Sequence, residues 1–122
     1  MGVRLLLVDD SGLQRRVLSH ALESHGLELE RVREASSAPQ ALQQLRGEPI
    51  DLVLCNAELQ GMSGFDFARA ARRTHPGPIV LLAGTVDPEA ERSAESVGAS
   101  ALLARTSDGA DLVATLESVL VR

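Results

Sequence analysis

The chain contains no Lys, Trp or Tyr, a single Cys and two Phe. One Cys cannot form an internal disulfide, which fits a reducing, cytoplasmic setting. Phe65 and Phe67 are the whole aromatic complement, too little for base stacking. Basic clusters are equally scarce. The net charge is −5 and no basic run exceeds the pairs Arg15-Arg16 and Arg72-Arg73, so nothing supports binding to a nucleic-acid backbone. That every basic side chain is Arg carries no functional reading. No apolar run approaches the ~20 residues a membrane span needs. The early stretch Leu5-Leu6-Leu7-Val8 meets Asp9-Asp10 at once, with no small-residue cleavage site, so no signal peptide is expected. The 122 residues suit one domain spanning 1–122, without room for a separate catalytic unit.

What is present alternates regularly. Residues 3–8, 52–55, 79–83 and 101–104 are short, nearly continuous apolar runs, the pattern of strands covered on both faces. Residues 28–34 carry more charge, with Leu29 and Val32 the apolar members, and suit an exposed edge strand. Helices with explicit start and stop signals lie between. Ser11 with Gln14 forms a capping-box pattern, Leu13, Val17, Ala21 and Leu22 recur at helical spacing, and Gly26 closes the helix. Ser37 with Gln40 repeats the box before Ala41, Leu42 and Leu45, ending at Gly47. A third helix is predicted over 62–73, ended by Pro76-Gly77-Pro78. Asp87-Pro88 opens a fourth that stops at Gly98, and a fifth begins at Ser107 or Asp108 and buries Leu112, Leu116, Val119 and Leu120.

Five strand–helix units imply a parallel sheet with right-handed crossovers, too few for an eight-fold barrel and therefore an open, doubly wound α/β sheet. Functional residues of such a sheet lie at the carboxyl ends of its strands. That selects Asp9, Asp10, Asn56, Ala83, Gly84 and Arg105. Asp9 and Asp10 read two ways: as carboxylates for a divalent cation, or as acids complementing a helix dipole.

The fragments Arg4 to Ser11, Asp51 to Asn56, Gly61 to Phe67, Pro78 to Leu82 and Gly98 to Ser100, in that order along the chain, resemble the receiver domain of bacterial response regulators. The resemblance implies a flavodoxin-like (βα)5 fold with strand order 2-1-3-4-5, and a phosphorylation pocket at Asp9, Asp10, Asn56, Ala83 and Arg105. Position by position, that pocket is degenerate. Asn56 stands where the family has its phosphoacceptor aspartate, and an amide cannot replace a carboxylate nucleophile. Ala83 stands for a Thr or Ser hydroxyl, Arg105 for a Lys, Thr106 for the following Pro and Gln60 for another Pro. Without proline, the Arg105–Thr106 bond is expected trans, or the loop reshaped. The family's Mg²⁺ ligands map to Asp10, Asn56 and the backbone carbonyl of Glu58, a weakened set, so no cofactor is expected and any Mg²⁺ site there would be weak. Arg105 is expected to pair with Asp9 or Asp10 instead.

Other candidate residues read as structural. His20, His25 and His75 lack metal-ligand spacing, Cys55 reads as a buried core residue, and Ser63 and Thr85 have no histidine base nearby. Gly12 alone is no phosphate loop. At least one of Phe65 and Phe67 is expected in the core. The resemblance therefore implies a signalling module, not an enzyme, acting through phosphorylation-independent protein–protein interaction. Its partner would be a signalling protein or an attached output domain, with no nucleic acid or membrane bound. The expected partner face holds Glu89, Arg92, Glu95, Leu102 and Asp111, with Leu102 where the family carries an aromatic switch residue. The alternative is a response regulator that takes phosphate at another carboxylate, Glu58 or Asp66 being nearest, or that is switched by another signal.

Overall fold

The computed structural model describes residues 2–121. Among them strand and helix alternate as β1 (Val3–Val8), α1 (Gly12–Ser24), β2 (Leu29–Ala35), α2 (Ala38–Gly47), β3 (Leu52–Asn56), α3 (Gly64–Ala71), β4 (Ile79–Ala83), α4 (Pro88–Ser96), β5 (Ala101–Ala104) and α5 (Gly109–Leu120). The strands pair in parallel in the order β2-β1-β3-β4-β5. This is the flavodoxin-like order that the resemblance implied.

Alternation along each strand divides the core into two layers. Leu6, Val8, Val53, Cys55, Ile79 and Leu81 point to the face covered by α2, α3 and α4, where Ala41, Leu45, Phe67, Ala71 and Ala94 meet them. Leu5, Leu7, Leu52, Leu54, Val80 and Leu82 point to the face covered by Leu18 and Leu22 of α1 and by Leu112, Val113, Leu116 and Val119 of α5. Each fully buried Leu on these faces contributes roughly 1.5–3 kcal/mol. Strand β2 is the charged edge: Arg33 and Arg31 reach Glu48 at 2.6 and 3.6 Å, and Glu34 pairs with Arg15 at 2.8 Å.

Several sequence expectations change in detail. The buried stripe of α1 runs through Leu18 and Leu22, while Leu13 and Val17 are 70% and 53% exposed. Leu13 and Val17 sit one residue before the row 14, 18, 22, and one residue is ~100° around a helix. Helix α3 is shorter than 62–73, because Ser63 caps it by accepting the Asp66 N–H and its end unwinds into turns at Arg73 and Thr74. Those turns are held by Arg72, which donates to the carbonyls of His75, Gly77 and Gly98. Asp108, not Ser107, caps α5 by accepting the Asp111 N–H at 2.8 Å. Leu120 is only half-buried. Phe67 is fully buried and Phe65 packs against the same layer. No peptide bond among the described residues is cis, so Arg105–Thr106 is trans.

Candidate functional site

The carboxyl ends of β1, β3 and β5 converge on a cleft of about 430 Å³ lined by Asp9, Asp10, Ser11, Asn56, Glu58 and Arg105, with Gln14 and Thr106 at its rim. Asp9 continues the sheet, its N–H donating to the Ala35 carbonyl at 3.0 Å. Its carboxylate accepts the Ser11 N–H at 2.9 Å, and its own carbonyl accepts from the Arg15 guanidinium. Burial pushes the Asp9 carboxyl above its ordinary range; the Ser11 N–H opposes this and the Asp10 charge adds to it. Asp10, by contrast, is exposed and accepts the Gln60 N–H at 3.3 Å.

Asn56 closes β3 and is buried. Its Oδ1 accepts the Glu58 N–H at 3.0 Å and a contact from Arg105 Nη1 at 3.4 Å. Local packing fixes this corner. The Gly64 N–H donates to the Ala57 carbonyl at 2.8 Å, and a Cβ at Gly64 would lie 2.4 Å from the Asn56 carbonyl oxygen. Ala83 ends β4, buried and without a hydroxyl, and its carbonyl accepts the Arg105 N–H at 2.9 Å.

Arg105 does not pair with Asp9 or Asp10, as expected from the sequence, but with Glu58, at 2.7 Å. The reason lies in where the other acids are held: Asp9 is turned to the Ser11 N–H and Asp10 to the Gln60 N–H. Glu58 leaves the end of β3 toward β4, where its carboxylate also accepts the Gly84 N–H at 3.1 Å. The sequence reading missed this use of the Glu58 side chain and of Gly84. The signal available was a glycine immediately after Ala83, which leaves open space at a strand end.

The expected partner face is only partly assembled. Leu102 is half-buried and lines a groove of about 260 Å³ with Glu91, Ala94, Glu95, Ala99 and Ala101. Glu89 borders a separate cleft with Thr85 and Asp87, and Asp111 sits in the first turn of α5, outside both. Arg92 is exposed on α4.

The remaining candidates stay apart. His20 contacts Ser24, the His25 ring lies against Gly109, and His75 is buried with Nε2 unpartnered. No group of three or more His, Cys, Asp or Glu placed to hold a metal occurs among the described residues. Cys55 is fully buried, and burial pushes its thiol far up, away from reactivity. No helix among the described residues is long and apolar enough to cross a membrane.

Comparison with known proteins gives a consistent picture. The family model of the response regulator receiver domain matches residues 5–117. The sensory/regulatory protein RpfC of Xanthomonas campestris is 33% identical over 98% of this chain. A protein-glutamate methylesterase/protein-glutamine glutaminase of Alkalilimnicola ehrlichii is 32% identical over 83% of it. The chain spans 17% and 26% of the lengths of those two proteins. Among solved structures, the chemotaxis protein CheY4 of Vibrio cholerae superposes with a TM-score of 0.87 at 28% identity, covering 98% of this chain and 99% of that one. The signal receiver domain of an HD domain-containing protein of Pseudomonas fluorescens gives 0.87 at 27% identity, covering 99% and 96%.

Proposed function

This chain belongs to the response regulator receiver domain family, and from that premise we propose that it serves two-component signalling as a docking module that works without being phosphorylated. The observation that carries the reading is Asn56, a neutral amide at the end of β3 whose Oδ1 is already taken by the Glu58 N–H and by Arg105. An amide oxygen in that position has neither the charge nor the free lone pairs to attack a phosphoryl group. Ala83 offers no hydroxyl beside it, and the Arg105 charge is committed to Glu58.

A divalent cation has no part in the proposal. Its ligands would be Asp10, Asn56 Oδ1 and the Glu58 carbonyl, a set with one anion. The Asn56 oxygen also has a guanidinium nitrogen 3.4 Å away, and two cations do not share one neutral oxygen favourably. The donor set does not fit the ion. The role proposed is binding, not catalysis.

The partner surface is the α4–β5 groove, with Leu102 and Ala99 as apolar floor and Glu91 and Glu95 at its edge. Leu102 supplies the anchoring contact, while the exposed charges Glu89, Arg92 and Asp111 steer approach. The partner is a signalling protein or an output domain carried on the same chain. The competing reading, phosphorylation at Glu58 or Asp66, is disfavoured because Asp66 is exposed and paired with Arg69, and Glu58 is held by Arg105. The test is addition of beryllofluoride and Mg²⁺ to isotope-labelled protein. Amide resonances of Asp10, Asn56 and Ala83 should stay in place; saturable shifts at all three would refute the proposal.

A further inference from the structure

We infer that Glu58 is an internal ligand: its carboxylate fills an oxyanion site built from the Gly84 N–H and the Arg105 guanidinium, tying together the turns after β3, β4 and β5. One carboxylate oxygen lies 2.7 Å from Arg105 Nη2, and the two oxygens lie 3.3 and 3.1 Å from the Gly84 nitrogen. An exposed ion pair alone holds little. Here the carboxylate has a second anchor on backbone, and the cation is itself positioned by backbone, through the Arg105 N–H on the Ala83 carbonyl at 2.9 Å. Arg105 also reaches back to Asn56 Oδ1, which accepts the Glu58 N–H, so main chain and side chain of Glu58 are both fixed.

Gly84 sits against the same pair. Its φ lies outside the left-handed region, unlike Gly26, Gly61 and Gly98, so its backbone does not call for glycine. The space does. A Cβ there would stand 2.8 Å from Arg105 Nη2 and 3.3 and 3.4 Å from the two Glu58 oxygens. Glycine at this position leaves room for the ion pair to lie across the end of β4.

The chemistry of the site selects a carboxylate over a phosphate. Asp9 and Asp10 line the same cleft, and without a bound cation their charges oppose a dianion more than a monoanion. The turn that Glu58 grips leads through Asp87 directly into α4. The inference goes beyond the docking reading and does not depend on it, since its test involves no partner.

The test uses the full chain, isotope-labelled, with Glu58→Ala, Glu58→Gln and Gly84→Ala variants. Hydrogen exchange at the Gly84 amide should be at least about tenfold faster in Glu58→Ala, the scale of one hydrogen bond to a charged acceptor. Sodium formate should then bind saturably and return the Gly84 resonance toward its position in the unmodified protein, whereas chloride and inorganic phosphate at matched ionic strength should not. The unmodified protein should ignore formate, because the site is filled. Glu58→Gln keeps shape and an acceptor oxygen but no charge, and should give a smaller acceleration. Gly84→Ala should shift the Arg105 Nε–H resonance in the same direction as Glu58→Ala. Unchanged Gly84 exchange in Glu58→Ala, or a formate response no greater than that to chloride, would overturn the inference. Phosphate acting as well as formate would overturn the carboxylate selection.

Discussion

Asp9 directly follows β1 and Asn56 ends the neighbouring β3, each one step beyond the Val8–Cys55 pair; both are nearly inaccessible, at 4% and 6% exposure, and only Asp9 is ionisable. Burial already raises the Asp9 carboxyl, and contact with the Asn56 amide partly offsets this. A second carboxylate at position 56 would replace that favourable dipole by a like charge.

Asn56→Asp should therefore destabilise the protein in metal-free buffer by about 1–2 kcal/mol, a Tm fall of roughly 3–10 °C. Millimolar Mg²⁺ should recover part of the loss, since the substitution supplies a second acid near Asp10. Scanning calorimetry with and without Mg²⁺ checks this; a neutral substitution that ignores Mg²⁺ would mean the pocket is not a site of charge crowding.

Gly64→Ala tests the packing that holds Asn56 in place. The new Cβ would meet backbone, 2.4 Å from the Asn56 carbonyl oxygen and 2.6 Å from the Ala57 Cα, which no rotamer change relieves. We expect a loss of about 1–3 kcal/mol in urea unfolding, the range of overpacked interiors. Retained stability would show that the β3–α3 turn moves freely.

Stability should also depend on pH through His75 and Asp51. Burial lowers the His75 pKa, with Arg72 adding to the shift and the Pro78 backbone and Asp51 opposing it. The unfolded chain then binds a proton first as pH falls through about 6.5, so stability drops below that pH and levels off once the folded form is also protonated. The Arg4 hydrogen bonds hold Asp51 below its ordinary value, so its contribution is present above about 3.9 and lost in stronger acid. Asp9 works in the opposite direction, its raised pKa favouring the folded state as acid is added. Urea midpoints from pH 7.5 to 5 should fall in the unmodified protein and much less in His75→Gln. Parallel curves would remove His75 as the cause.

Partner binding should separate the pocket from the α4–β5 groove. Asp10→Ala should retain a partner that co-purifies with the unmodified chain, and the double variant Arg92→Glu with Leu102→Ala should lose it, each first checked for folding. Leu102 packs partly against the core, so its truncation will also lower stability modestly. Loss in Asp10→Ala with retention in the double variant would move the function back to the pocket.

The fold was legible because each layer of the sequence agrees with the next. The apolar runs of β1, β3 and β4 are buried on both faces, and Ser11, Ser37 and Asp87 cap the helices they precede. Legibility failed where the answer depended on rotation or on long-range meeting. Leu13 and Val17 follow a helical period as well as Leu18 and Leu22 do, and only the docking of α1 against the sheet and α5 decides which pair is covered. The partner of Arg105 was likewise misread from the sequence, as Asp9 or Asp10. Glu58 wins because its carboxylate meets both a cation and the N–H of Gly84.

The most direct test of the central claim is the intact mass of the protein after incubation with acetyl phosphate and Mg²⁺, alongside Asn56→Asp. No phosphoryl addition to the unmodified chain is expected, because Asn56 carries no nucleophilic carboxylate and Glu58 is held by Arg105. A stoichiometric addition to the unmodified chain that hydroxylamine removes would contradict it.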